Sequence, residues 1–80
     1  MITMSDDSLI RAALVDQIKN ARLRAKLTQD ELAALASISR RPIYLLESGR
    51  GTIRLDTLIR ILDALGLVMD IHPKGMNRDN

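Results

Sequence analysis

The fold of this chain is decided by residues 28–49, which read TQDELAALASISRRPIYLLESG. Thr28 and Glu31 have the Ser/Thr-x-x-Glu spacing of a capping box, in which each side chain bonds to the backbone amide of the other residue. This pattern predicts that a short helix begins directly after Thr28. The buried side of this helix is expected to consist of Leu32, Ala33, Leu35 and Ala36.

A second short helix is predicted after the interruption Ser37-Ile38-Ser39. Ser39 is a good N-cap for this helix, and Pro42 falls in its first turn, where a missing amide costs little. Ile43 and Leu46 are three residues apart and are expected to face inward. The outward side then carries Arg40, Arg41 and Tyr44. The segment therefore predicts two short helices, the second of which begins with exposed arginines.

Two further helices flank this pair. From about Ser8, apolar residues recur at spacings of three and four, as one face of a helix requires. They are Ile10, Leu14, Ile18, Ala21 and Ala25. Another helix is predicted from about Leu55 to Leu65, closed by Gly66, with an inward stripe of Leu55, Leu58, Ile59, Leu62 and Leu65. Ile61 widens this stripe, either as a dimer contact or as a second-row core residue.

The apolar period changes from 3.6 to 2 after Gly66. Leu67, Met69 and Ile71 alternate with Val68, Asp70 and His72, and Pro73 ends the run. This alternation predicts a strand over residues 67–73. A lone strand has unpaired edges, so the expected partner is the same strand of a second copy. The alternative is a strand-like tail that lies on the helices. Residues 1–7 and 74–80 are expected to be flexible.

Composition narrows the function classes. The chain has 80 residues, no cysteine and one histidine, His72. These counts exclude a disulfide framework and a thiolate zinc site, and they argue against an enzyme, a metal site or a cofactor. No apolar run approaches the roughly 20 residues of a membrane span, so we expect a cytoplasmic protein. A single non-enzymatic binding domain is the class that remains.

Basic residues are concentrated in the middle of the chain. The formal net charge is only +2, but residues 19–54 hold eight basic and three acidic residues. An electrostatic footprint of this kind suits a polyanion such as nucleic acid. A solvated charged face would give the same count, so charge alone does not decide between the two.

Residues 18–66 resemble the lambda-repressor-like, Xre-type DNA-binding domain. The resemblance is carried by Gln29-x-x-Leu32-Ala33, Ser37-Ile38-Ser39, Ile43 and Glu47-x-Gly49. It implies a mainly α fold, a helix-turn-helix bundle of four to five helices. Two residues depart from the family pattern: Ser37 stands where glycine is usual in the turn, and Pro42 stands where a small polar residue is usual.

The resemblance also implies roles for individual residues. The third helix would enter the major groove of DNA, where an arginine can bond to both acceptors of a guanine. The implied DNA-binding residues are Thr28, Gln29, Ser39, Arg40, Arg41, Tyr44 and Arg50. Arg22 and Glu47 match a structural ion pair that ties the first helix to the end of the third.

The stretch Leu58-x-x-Ile61-Leu62-x-Ala64-Leu65-Gly66-Leu67, followed by a strand, is similar to HipB-type antitoxins. This similarity implies a homodimer, a palindromic double-stranded operator and a HipA-like kinase toxin as partner. The implied dimerisation residues are Ile61, Leu67, Met69 and Ile71. The function expected from the sequence is therefore a repressor that controls its own operon and neutralises a toxin.

Two other functions stay open at this point. One is a solitary Xre-type regulator without a toxin, which a neighbouring kinase-like gene would argue against. The other is a protein-interaction module that no longer binds DNA, which Pro42 and the modest net charge favour.

Overall fold

A computed structural model describes the backbone of residues 6–73 and the side chains of residues 9–73. Residues 6–73 form four helices: α1 (Asp6–Arg24), α2 (Gln29–Ala36), α3 (Arg41–Glu47) and α4 (Leu55–Ala64). The expectation of a mainly α bundle of four to five helices is confirmed, with four helices in the described range. The first helix begins before the expected Ser8, so residues 6 and 7, assigned to a flexible N-terminus, are helical. Residues 1–5 and the expected flexible tail at 74–80 lie outside the described range.

The capping box at the start of α2 is confirmed. The amide of Glu31 donates to Oγ1 of Thr28 at 3.0 Å, and the amide of Thr28 donates to Oε1 of Glu31 at 2.8 Å. Two amide groups that the helix itself leaves without partners are thereby satisfied. The start of α2 is thus fixed by residues only three positions apart.

A left-handed residue ends α2. Ser37 has a φ of 59° and a ψ of 45°, and its neighbour Ile38 donates its amide to the carbonyl of Ala33 at 3.0 Å. This backbone conformation suits glycine best, because a side chain at positive φ crowds the following carbonyl. The turn therefore contains a left-handed residue although that residue is serine and not glycine.

The predicted N-cap of α3 is wrong by one residue. Arg40 is the N-cap, its backbone is already helical, and no side chain caps the helix. The carbonyl of Arg40 accepts the first bonds, from the amides of Ile43 and Tyr44, both at 3.0 Å. Because this first turn closes on Arg40, Ser39 lies outside the helix. Pro42 falls within the first turn, as predicted.

The core lies where the helices meet. α2 packs against α3 and α4, and α1 packs against α3. The buried apolar residues are Ile18 of α1, Leu32, Ala33 and Ala36 of α2, Ile43 of α3, and Leu58, Ile61 and Leu62 of α4. Leu46, Leu65 and Leu67 are partly buried against this cluster. The core is therefore assembled from all four helices.

Several predicted core residues are exposed. Ile10, Leu35, Leu55 and Ile59 all lie on the surface. Leu35 falls outside the arc of α2 that Leu32 and Ala36 bury, and Leu55 is the first residue of α4. Periodicity marks the apolar side of each helix, but neighbouring helices cover only part of that side.

The C-terminal predictions also need correction. Ile61 is fully buried in the core of the single chain, so it is a second-row core residue and not a surface contact for a second copy. Residues 67–73 form no strand in the described chain. A strand needs a ladder partner, and residues 6–66 contain none. Within this segment Leu67 is partly buried, whereas Met69 and Ile71 are exposed.

Within residues 6–73, none of the helices has both the length and the apolar character to cross a membrane.

Replacing Ser37 by glycine should stabilise the protein. Ser37→Gly relieves the strain of a side chain at positive φ and is expected to raise the free energy of unfolding by about 0.5–1 kcal/mol. Urea-induced unfolding followed by circular dichroism measures this change. Ala36→Gly, one residue earlier in right-handed helical backbone, is the matched control and should destabilise by about 1 kcal/mol. Destabilisation by Ser37→Gly would contradict the assigned conformation.

Candidate nucleic-acid interface

An ion pair joins α1 to the end of α3. Nε of Arg22 donates to Oε2 of Glu47 at 2.6 Å, and Nη2 donates to Oε1 at 2.8 Å. The remaining nitrogen, Nη1, donates to the carbonyl of Leu27 at 2.7 Å. Arg22 and Glu47, which the resemblance assigned to a structural ion pair, are thus paired in the structure, and their two parallel bonds fix the orientation of both side chains.

The start of α2 joins the same network. Nε2 of Gln29 donates to Oε1 of Glu47 at 3.1 Å. Only 10% of the Arg22 side chain and 4% of the Glu47 side chain are exposed. Among the described residues, no buried side-chain nitrogen or oxygen lacks a hydrogen-bond partner. The Glu47 carboxylate therefore holds α1, α2 and α3 in one arrangement.

Burial and hydrogen bonding act in opposite directions on the pKa of Glu47. Loss of solvent is the largest influence and by itself raises that pKa, but bonds from Arg22 and Gln29 outweigh it. The pKa of Glu47 consequently lies below its usual value. The bond to Glu47 raises the pKa of Arg22 in turn. Both groups are charged at neutral pH.

The network leaves one side of α3 free. Ile43 is fully buried and Glu47 faces Arg22, whereas Arg40, Arg41 and Tyr44 are exposed. This is the outward set that the sequence predicted. Because one side of α3 is fixed by packing and hydrogen bonds, the exposed side has a defined orientation toward a ligand.

Arg40 has two close neighbours on this surface. Its guanidinium carbon lies 6.0 Å from the centre of the Tyr44 ring, within the range of a cation–π contact. Its Nε lies 3.9 Å from Oδ1 of Asp30, which is in the first turn of α2. Both ion-pair side chains are more than half exposed, so the pair itself adds little stability.

A groove of about 270 Å³ runs beside α3. Its lining brings Arg41 together with Arg54, the N-cap residue of α4. The full lining is Ser39, Arg41, Pro42, Leu45, Thr52, Ile53, Arg54 and Thr57. Arg54 was missing from the predicted site, although it belongs to the basic middle of the chain. Its position just before a predicted helix was the signal that could have identified it.

The other predicted DNA-binding residues differ in whether their side chains are exposed or engaged in hydrogen bonds within the protein. Arg50 is exposed in the loop after α3. The Thr28 hydroxyl is engaged in the capping box, and the Gln29 amide nitrogen is engaged by Glu47. Within the described chain there is no cluster of three or more metal-binding side chains. The exposed groups that the site offers are therefore mainly guanidinium groups.

Two short helices joined by a tight turn, the second with an exposed basic side, form the arrangement of a helix-turn-helix module. A family model described as helix-turn-helix matches residues 18–69 of this chain. The chain belongs to this helix-turn-helix family.

The chain is also similar in sequence to two bacterial proteins, and each match covers more than two thirds of both chains. The chain is 34% identical over 61 residues to an uncharacterized HTH-type transcriptional regulator, y4mF, of Sinorhizobium fredii, a match that spans 76% of this chain and 80% of the relative. It is 28% identical over 67 residues to an uncharacterized HTH-type transcriptional regulator of Haemophilus influenzae, spanning 84% of this chain and 68% of that protein.

Breaking the ion pair from one side should impair folding. Glu47→Ala leaves the Arg22 charge buried without its partner and is expected to cost about 3 kcal/mol of unfolding free energy. Arg41→Ala removes an exposed side chain and should change stability by less than about 0.5 kcal/mol. Thermal unfolding of both variants beside the wild type measures the difference. Equal shifts in the two variants would refute the structural role of Glu47.

Stability should fall on acidification because of Glu47. The pKa of Glu47 is lower in the folded than in the unfolded chain, so the ion pair stabilises fully above about pH 4.3, the unfolded value. That contribution is lost as the pH falls through the lower, folded value. The difference in unfolding free energy between the wild type and Glu47→Gln should therefore shrink below about pH 4.3. A difference that is constant with pH would contradict the lowered pKa.

Proposed function

We propose that this protein is a sequence-specific DNA-binding transcriptional repressor. The observation that carries the proposal is the outward side of α3, where Arg40, Arg41 and Tyr44 are exposed. The opposite side of the helix is fixed by the bonds between Glu47 and Arg22. The matched family and the names of the two relatives support the same function.

In the proposed complex α3 lies in the major groove. Arg40 and Arg41 at its start would meet base edges, where a guanidinium donates in parallel to O6 and N7 of guanine. Each such pair contributes about 1–3 kcal/mol of discrimination between bases. Tyr44 lies one turn further along α3 and would contact a thymine methyl group or a phosphate. Sequence is thus read by one side of a helix of seven residues.

Phosphate contacts would come from both flanks of α3. Arg50 is exposed on one side, and Arg54 lines the groove beside Arg41. The start of α2 would approach the backbone with first-turn amides, which have no carbonyl partner within the helix. Thr28 and Gln29 would assist chiefly through the backbone, since their side chains are engaged within the protein. Ser39 would contact DNA from the turn.

The finer part of the proposal is a homodimer on a palindromic operator. Val68 and Ile71 are 92% and 84% exposed in a segment without secondary structure. Exposed apolar residues next to unpaired backbone favour pairing with the same segment of a second copy. Leu67 and Met69 would belong to this contact. Two recognition helices would then enter successive major grooves about 34–36 Å apart.

We further propose that the repressor is the antitoxin of a HipA-like kinase toxin and controls its own operon. The support is the similarity of the α4 sequence and the following segment to HipB-type antitoxins. The surface for the toxin would lie away from α3, so that DNA and toxin bind together. The alternative is a solitary regulator without a toxin, which would bind DNA through the same side of α3. The absence of a kinase-like gene next to the gene for this chain would favour the solitary regulator.

Binding to the DNA upstream of its own gene tests the proposed repressor. The protein is titrated into this duplex and into an unrelated duplex at several salt concentrations. We expect selective binding by two copies of the chain, with an affinity that falls steeply as salt rises. Arg40→Ala/Arg41→Ala should lower the affinity for the upstream duplex at least about tenfold, because two base-reading groups are lost.

The control for this experiment is Arg60→Ala. Arg60 is an exposed arginine of α4 whose Nη1 lies 3.4 Å from the carbonyl of Ser37, and it carries the same charge as the tested residues. It should leave the preference for the upstream duplex unchanged. No binding to either duplex at any salt concentration would contradict the repressor and favour a protein-interaction module. Binding of a single copy would contradict the homodimer alone.

A further inference from the structure

We infer that Asp30 is a positioning residue for Arg40 and a determinant of DNA specificity. This inference rests on the proposed function, because it concerns how the exposed side of α3 selects among DNA sequences. Asp30 was not among the residues that the sequence assigned to the interface. Its role follows from its place in the first turn of α2, where its carboxylate lies beside Arg40, the N-cap residue of α3.

Arg40 lies between an acid and an aromatic ring. Nε of Arg40 lies 3.9 Å from the Asp30 carboxylate, and its guanidinium carbon lies 6.0 Å from the Tyr44 ring centre. The two neighbours come from different helices, since Asp30 is in α2 and Tyr44 is in α3. A long arginine side chain has many rotamers, and contacts on two sides reduce how many it samples. Arg40 is thereby kept near the position from which it would read a base.

Arg41 provides the contrast within the same surface. It is exposed, and no carboxylate of residues 9–73 lies within ion-pair distance of its guanidinium. Arg41 is therefore free to turn toward a phosphate or toward a base. The two neighbouring arginines have the same chemistry but differ in constraint, because Asp30 and Tyr44 lie beside Arg40 and not beside Arg41.

The charge of Asp30 also discriminates between ligands. An exposed carboxylate on a surface that meets DNA repels phosphate oxygens. The edge of guanine presents the uncharged acceptors O6 and N7, which this carboxylate repels much less. Asp30 thus penalises the use of Arg40 as a general phosphate contact more than its use on a guanine. Asp30 thereby lowers the affinity for DNA in general and raises the preference for the correct sequence, as repulsive groups do in other specific interfaces.

Asp30→Asn tests this role. The variant keeps the size of the side chain and removes its charge. We expect tighter binding to an unrelated duplex and a ratio of affinities, upstream over unrelated, that falls at least about fivefold. Asp56→Asn is the matched control, because Asp56 is the acid at the equivalent second position of α4. Asp56→Asn should leave the ratio unchanged, whereas thermal unfolding should change similarly in both variants.

A double-mutant cycle shows whether Asp30 acts through Arg40. In an Arg40→Ala background, Asp30→Asn should no longer lower the ratio, since the residue that it positions is absent. An unchanged ratio in Asp30→Asn, or an equal fall with and without Arg40, would overturn the inference and leave the proposed repressor intact. A wild-type protein that binds both duplexes equally would instead contradict the proposed function.

Discussion

The arrangement of this small domain depends on one nearly buried carboxylate. Glu47 accepts bonds from Arg22 of α1 and from Gln29 of α2, while Arg22 also donates to the carbonyl of Leu27. Taking a carboxylate and a guanidinium out of water costs several kcal/mol, which is repaid only when every donor and acceptor finds a partner. These bonds form together only when the first three helices are correctly oriented relative to one another. The pair therefore favours one arrangement of these helices, while its net contribution to the free energy of unfolding is small.

The orientation of the exposed surface follows from this constraint. Glu47 is the last residue of α3, and Ile43, one turn earlier, is fully buried in the core. With two points of one helix side fixed, the rotation of α3 about its axis is set, and Arg40, Arg41 and Tyr44 are left outside. At the other end of α3, the left-handed backbone of Ser37 sets the direction in which the chain leaves α2. A helix too short to be stable alone is thus oriented by contacts at both of its ends.

The same surface illustrates why charge should be considered residue by residue. The net charge of +2 gives little indication of a polyanion ligand, yet Arg41 and Arg54 line one groove and Arg40 directly precedes Arg41 in the sequence. An acid within this basic surface, Asp30, lowers the local positive potential and restrains its neighbour Arg40. In the proposed complex, affinity for DNA and selectivity among DNA sequences would come from different groups, because Coulomb attraction does not distinguish bases and oriented hydrogen bonds do.

The sequence by itself determined the features that depend on near neighbours along the chain. The capping box of Thr28 and Glu31 and the outward set on α3 were predictable because helix caps and helix sides are fixed within a few residues. The Arg22–Glu47 pair was predictable only from the family resemblance. Tertiary structure decided which apolar residues are covered: it buried Ile61, exposed Leu35, Leu55 and Ile59, and gave residues 67–73 no strand partner. It also brought Asp30 and Arg54 to the candidate interface, since burial and proximity depend on how separate helices meet and not on the pattern within any one of them.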